Sequence, residues 1–156
     1  METRARIAGH PIHPMLIPFP IGLWVFSLAA DIAARVSGDA AWLGIAYWTM
    51  LGGTVGALLA AIPGLIDYFA LTEARAVRIA TIHLTLNVAI VGLFIANLVL
   101  RSMGRGGMAT LPIVLSAVGV GLLLVSGWFG WELIYREGVA VEPEIRLRKA
   151  AHKGAA

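Results

Sequence analysis

Four long apolar runs, roughly residues 15–34, 41–71, 77–100 and 111–135, limit what this chain can fold into. A helix crossing the ~30 Å hydrocarbon core of a bilayer needs about 20 predominantly apolar residues, and each run supplies them. Inside hydrocarbon every backbone N–H and C=O must be satisfied within the segment, so runs of this kind cross as helices. The links RVSGDA, TEARA and RSMGRGGMAT are short, which favours antiparallel neighbours. The sequence therefore predicts an all-α, integral membrane four-helix up-down bundle. Residues 1–141 form one four-span domain, and residues 142–156 form a polar C-terminal tail without strong periodicity.

Composition agrees. Hydrophobic residues make up 59% of the chain and charged residues 13%, where a soluble domain runs nearer half and a quarter. The absence of cysteine removes disulfides, thiolate metal sites, covalently attached haem and cysteine nucleophiles. The net charge of +3 resides in links and termini, where it suits anionic lipid headgroups better than nucleic acid. Four spans put both termini on one side. That side holds nine of the 12 basic residues, among them Arg75, Arg78 and Arg136; the other holds Arg35, Arg101 and Arg105. The positive-inside rule then places both termini in the cytoplasm. The first span is long and interrupted by prolines, which argues against a cleaved signal peptide.

The polar residues of the spans gather at one end. His10 and His13 precede the first span, Asp67 closes the second, His83 lies early in the third and Glu132 late in the fourth. Ionisable residues at membrane depth are costly, so their convergence suggests a shared site. His83, Asn87, Phe94 and Asn97 fall within one arc of a helix and should face the bundle interior. There the asparagines have an ordinary role in bonding neighbouring helices. His83 stands near the positive end of its helix dipole, which favours a neutral ring fit to bind a metal. Asp67 and Glu132 stand near helix C-termini and need partners, for which Arg75, Arg78, a histidine or a bound cation are candidates. Ser27, Ser116 and Ser126 sit in apolar surroundings with no base nearby in sequence, so no hydrolase constellation is expected.

In GHPIHPMLIPFPIG each histidine precedes a proline, which biases the histidines toward extended backbone. The expectation is a stiff, extended lip holding His10 and His13 over the mouth of the bundle, or capping freed carbonyls there. Internal symmetry is faint. One helical hairpin runs from His13 to Asp67 and the next from His83 to Glu132, as a parallel duplication would give. Pairs of small residues, Gly52 with Gly56 and Ser126 with Gly130, fit close helix packing within the bundle or a homodimer contact.

The segments GHPIHPMLIPFPIGLWV, AAIPGLIDY, IHLTLN and GWFGWELIYREGVAV resemble the bacterial membrane-protein family catalogued as domain of unknown function 2231. The resemblance spans about Gly9 to Val141 and implies a four-span protein of the bacterial inner membrane. It implies hallmark positions at His10, His13, Pro20, Pro63, Asp67, His83, Asn87 and Gly138-Val139. Many relatives carry histidine where this chain has Glu137.

Three functions are open on this basis. The first is b-type haem for electron transfer with a redox partner protein. His83 and either His10 or His13 would be axial ligands, Asn87 would lie beside the site, and Arg75 and Arg78 would pair with propionates. Against it, the sequence does not set two histidines opposite one another on well-formed helices. The second is a bare metal such as Zn or Fe held by His10, His13, His83, Asp67 and Glu132. The third is a non-catalytic membrane protein whose polar cluster is structural, conducts protons or docks a partner.

Overall fold

The computed structural model describes residues 3–105 and 109–141, so the tail assigned to 142–156 lies outside the described residues. A two-strand hairpin, β1 (Arg6–Ile7) and β2 (His10–Pro11), opens the chain. The helices are α1 (Ile12–Leu16), α2 (Pro18–Ser37), α3 (Ala41–Tyr68), α4 (Ala74–Leu100) and α5 (Thr110–Tyr135). A π-helical turn, Arg101–Arg105, continues α4. Four helical stretches, with α1 and α2 acting as one, are long and apolar enough to cross a membrane.

The proline-rich start differs from the extended lip expected. Only Arg6–Ile7 and His10–Pro11 are strands, and His13 is already helical. Pro14 occupies the first turn of α1, where backbone N–H groups have no intrahelical acceptor and proline sacrifices nothing. Pro18 and Pro20 likewise occupy the first turn of α2. Ahead of them, Ala8 (φ 48°) and Gly9 (φ 82°) form the two-residue turn of the hairpin, and the register pairs Arg6 with Pro11 and Ile7 with His10. At the far end Gly38 caps α2 in the left-handed region (φ 73°), its N–H donating to Ala34 O.

Helix α2 packs chiefly on α3, and α4 on α5. The hairpins then meet through α2 on α5 and α3 on α4. Equivalent positions repeat throughout. A shift of 70 residues carries buried Pro20, Trp24 and Ser27 of α2 onto buried Ile90, Phe94 and Asn97 of α4. A shift of 66 carries Ala46, Met50, Gly53 and Ala60 of α3 onto Pro112, Ser116, Gly119 and Ser126 of α5, all buried. Contacts repeat with the positions. A Cβ on Gly53 would strike Trp24 at 2.8 Å, and one on Gly119 would strike Phe94 at 2.8 Å. The Ser27 hydroxyl donates to Ala46 O, and the Asn97 amide to Pro112 O.

The two hairpins are thus parallel copies about a pseudo-twofold axis running along the bundle. The duplication expected from sequence is present, but Asp67 and Glu132 are not equivalent. The shift of 66 carries Asp67 onto Leu133, one residue and about 100° around the helix from Glu132.

Candidate functional site

Residues that straddle such an axis meet their own equivalents, and three such pairs occur among the described residues. Midway along the bundle Trp24 stacks on Phe94, centroids 4.2 Å apart and planes 7° from parallel. At the end away from the termini, Asp31 meets Arg101 in a two-pronged ion pair of 2.6 and 2.9 Å, each side chain 5% exposed. Arg101 also donates to Asn97 Oδ1, and Asn97 donates to the Ser116 hydroxyl, so the buried charges are embedded in hydrogen bonds. At the end nearer the termini, His13 meets His83 edge-on, centroids 6.5 Å apart. The histidine and ion-pair layers are separated by about 27 Å of helix, close to the hydrocarbon thickness of a bilayer.

The sequence alone does not set two histidines opposite one another on helices, whereas the fold brings His13 of α1 and His83 of α4 together. Because α1 is helical, His13 occupies a fixed position against α3 instead of riding on a strand. Its Nδ1 lies 2.8 Å from Ala60 O, and its Nδ1–Cε1 edge lies against Gly64, where a Cβ would come within 2.8 Å. His83 repeats the arrangement on α5. Its Nδ1 lies 2.9 Å from Ser126 O, and a Cβ on Gly130 would come within 3.2 Å of its ring. The glycines at 64 and 130 make room for the rings. Pro63 removes a rung of the α3 ladder beside Gly64.

A carbonyl oxygen can only accept. The Nδ1–H···O=C bond of His13 therefore puts the single proton of a neutral ring on Nδ1 and leaves Nε2 with a free lone pair, and His83 takes the same form when its Nδ1–H donates to Ser126 O. Metal-ligating histidines are usually held this way, by donation from the other ring nitrogen to a backbone carbonyl or carboxylate.

The other expected site residues do not join this pair. His10 lies exposed in the β-turn with Nδ1 3.0 Å from Ala8 O. Asp67 accepts the Ala5 N–H at 2.9 Å, which ties the N-terminal hairpin to the end of α3. Glu132 pairs with Arg136 at 2.6 Å, and Arg75 pairs with Glu137 at 2.9 Å, so the partners found for Asp67 and Glu132 are not the expected Arg75 or Arg78. Arg78 is exposed one to two turns from His83. Asn87 donates both to His83 O and to the Ser126 hydroxyl, its expected helix-bridging role. Among the described residues, no group of three or more His, Asp or Glu side chains is arranged to hold a metal ion.

Ser126 also corrects the sequence reading, because it does have a base beside it: its Oγ lies 3.1 Å from His83 Nδ1. It is 2% exposed and bonded by Asn87, so no substrate carbonyl reaches it. The pair Asp31 and Arg101 belongs to no motif in the sequence, and its signal is the 70-residue shift itself, which aligns one charge with the opposite one.

A family model described as "Predicted membrane protein (DUF2231)" matches residues 9–143. The chain belongs to this family. No curated protein and no solved structure matches it. The DUF2231 match covers both histidine-bearing hairpins and all three axial pairs.

Proposed function

We propose that this DUF2231 protein is a small b-type cytochrome in which His13 and His83 are the axial ligands of one haem iron. The observation that carries the reading is the facing pair of imidazoles, one from each half, each with Nδ1 on the carbonyl of an equivalent residue. The number of ligands favours haem over a bare ion. A structural zinc takes four protein ligands and a catalytic zinc three, whereas a porphyrin brings four nitrogens and asks the protein for one or two. Two neutral imidazoles on a twofold axis suit a planar group whose two faces are alike. Metal–nitrogen bonds of about 2.0–2.1 Å place two opposed nitrogens about 4 Å apart, and the depth of each ring behind its nitrogen brings the centroids near the separation of this pair.

Arg78 and Arg75, toward the start of α4, are the candidates to pair with propionates. The excess of basic residues beyond the histidine end supports a haem at the cytoplasmic face of a bacterial inner membrane, where it would exchange electrons with a partner protein. A second reading is favoured by the same hydrogen bonds: each histidine staples α1 or α4 to its neighbouring helix, and the pair binds nothing.

Absorption spectra of protein purified from haem-supplied cells separate the two. The haem reading expects a Soret band and sharp reduced α and β bands that His13→Ala and His83→Ala each alter. A colourless protein in which both variants lose only thermal stability would overturn it in favour of the staple.

A further inference from the structure

The planes of His13 and His83 stand at 90° to one another, the largest angle two planes can make. The two histidines are equivalent under the 70-residue shift. The groups that hold them, Ala60 O with Gly64 and Ser126 O with Gly130, are equivalent under the 66-residue shift. Each ring therefore stands in the same relation to the other. An edge resting on a face would treat the two rings differently, so the right angle is that of two crossed blades.

The angle is held from outside the pair. A histidine ring turns about its Cβ–Cγ bond, and Nδ1 lies off that line, so any turn carries Nδ1 away from its partner. For His13 the partner is Ala60 O at 2.8 Å. For His83 it is Ser126, whose carbonyl lies at 2.9 Å and whose hydroxyl lies at 3.1 Å from Nδ1, and either contact holds the ring at the same place. The glycines supply the second constraint. A Cβ at Gly64 would lie 2.8 Å from Nδ1 and 3.0 Å from Cε1 of His13, and one at Gly130 would lie 3.2 Å from Cε1 of His83. Each ring thus occupies room that only glycine leaves. Hydrogen bonds of this kind from the second ring nitrogen fix the orientation of a ligating imidazole.

Orientation matters to the metal. The π orbitals of an imidazole stand perpendicular to its ring and mix with the iron d orbital that shares their direction. Parallel rings act on the same d orbital and separate it in energy from its partner. Crossed rings act on one each and leave the two nearly equal. In low-spin ferric iron this pair is one electron short of full and gains energy when split. In ferrous iron it is full and gains nothing. Crossed rings therefore withhold a stabilisation from the ferric state alone, which raises the reduction potential.

Resting on the haem reading above, we propose that Gly64 and Gly130 are positioning residues. With the carbonyls of Ala60 and Ser126 they hold His13 and His83 as crossed axial ligands. The site is then a stronger electron acceptor than the same two imidazoles would make if parallel.

Electron paramagnetic resonance and a potentiometric titration of the oxidised, detergent-solubilised full chain test this. Crossed ligands give a ferric low-spin signal dominated by one large g value, and parallel ligands give three well-resolved ones. The wild type should show the large-g signal. Because the planes already make the largest angle, any turn of a ring lessens it. Gly64→Ala, whose methyl group displaces His13, should therefore move the signal toward three resolved values and lower the potential. Gly130→Ala should do the same to a smaller extent, and it carries the test alone if Gly64→Ala fails to fold or loses its haem. A three-line low-spin signal in the wild type would overturn the proposal and leave the haem reading standing. So would glycine variants that lose stability with signal and potential unchanged. Absence of any Soret band overturns both.

Discussion

Trp24 stacks face to face on Phe94 at 4.2 Å, and the two rings occupy the same position in their respective hairpins. Each ring also fills the space that a glycine of its neighbouring helix leaves, Gly53 for Trp24 and Gly119 for Phe94. Lipid tails are as apolar as a helix surface, so hydrophobic transfer contributes little to helix association in a bilayer and packing contributes most. The stack is therefore the chief contact across the axis, with Met50, Ile90 and Leu123 around it. Trp24→Ala and Phe94→Ala should each destabilise the bundle by about 3–5 kcal/mol, measured by denaturation in mixed micelles. Because the rings share one interface, the double variant should cost less than the sum.

The ion pair at the other end gives a sharper prediction. Removing one partner of a buried pair strands the other charge, at about 3–5 kcal/mol. Asp31→Ala and Arg101→Ala should each lose that much stability. Asp31→Arg should be worse, placing two guanidinium groups on the axis. The exchange Asp31→Arg with Arg101→Asp should recover a large part of the loss in the same denaturation measurement.

The glycines beside the histidines should be intolerant in order of their clearance. Gly64→Ala places a methyl group 2.8 Å from His13 Nδ1, and Gly130→Ala places one 3.2 Å from the His83 ring. We expect Gly64→Ala to cost about 1–3 kcal/mol by overpacking and to disturb ligation by His13, with Gly130→Ala milder on both counts. Stability and the absorption spectrum of each variant check this order.

Asp67 has a local task. Its carboxylate receives the Ala5 N–H, and Ala5 O in turn receives the Ile12 N–H, so one side chain ties down the hairpin that precedes α1. Asp67→Ala should speed hydrogen exchange at Ala5 and Ile12 while leaving amides in the middle of α3 unchanged. Asp67→Asn keeps an accepting oxygen and should show a smaller effect.

The spans could be read from the sequence because length and hydropathy alone decide them. So could the inward face of α4, since His83, Asn87, Phe94 and Asn97 are set by helical period. The symmetry was legible too, but only at the correct shift. Under 70 residues Leu16, Gly22, Leu23 and Leu28 fall on Leu86, Gly92, Leu93 and Leu98, alongside the two histidines. Asp31 on Arg101 looks like a mismatch in such an alignment, yet opposite charge is what a residue facing its own equivalent requires. Asp67 and Glu132, which look like a matching pair in the sequence, are not equivalent positions and point away from this shift. Membership of the site was harder to read. Glu132 shares a membrane level with the histidines but lies two residues, about 200°, around α5 from Gly130. His10 is placed by a tight turn and not by a helix. Depth in the membrane is written in the order of residues, whereas direction depends on where each helix begins.

On the haem reading, one imidazole from each half holds one iron. Electron paramagnetic resonance of the oxidised, purified protein tests it most directly, with the wild type beside His13→Ala and His83→Ala. The expected result is a low-spin ferric signal in the wild type, a high-spin signal in His83→Ala, and loss of the low-spin signal in His13→Ala. A low-spin signal that survives both substitutions, or no ferric haem signal in any of the three proteins, would contradict it.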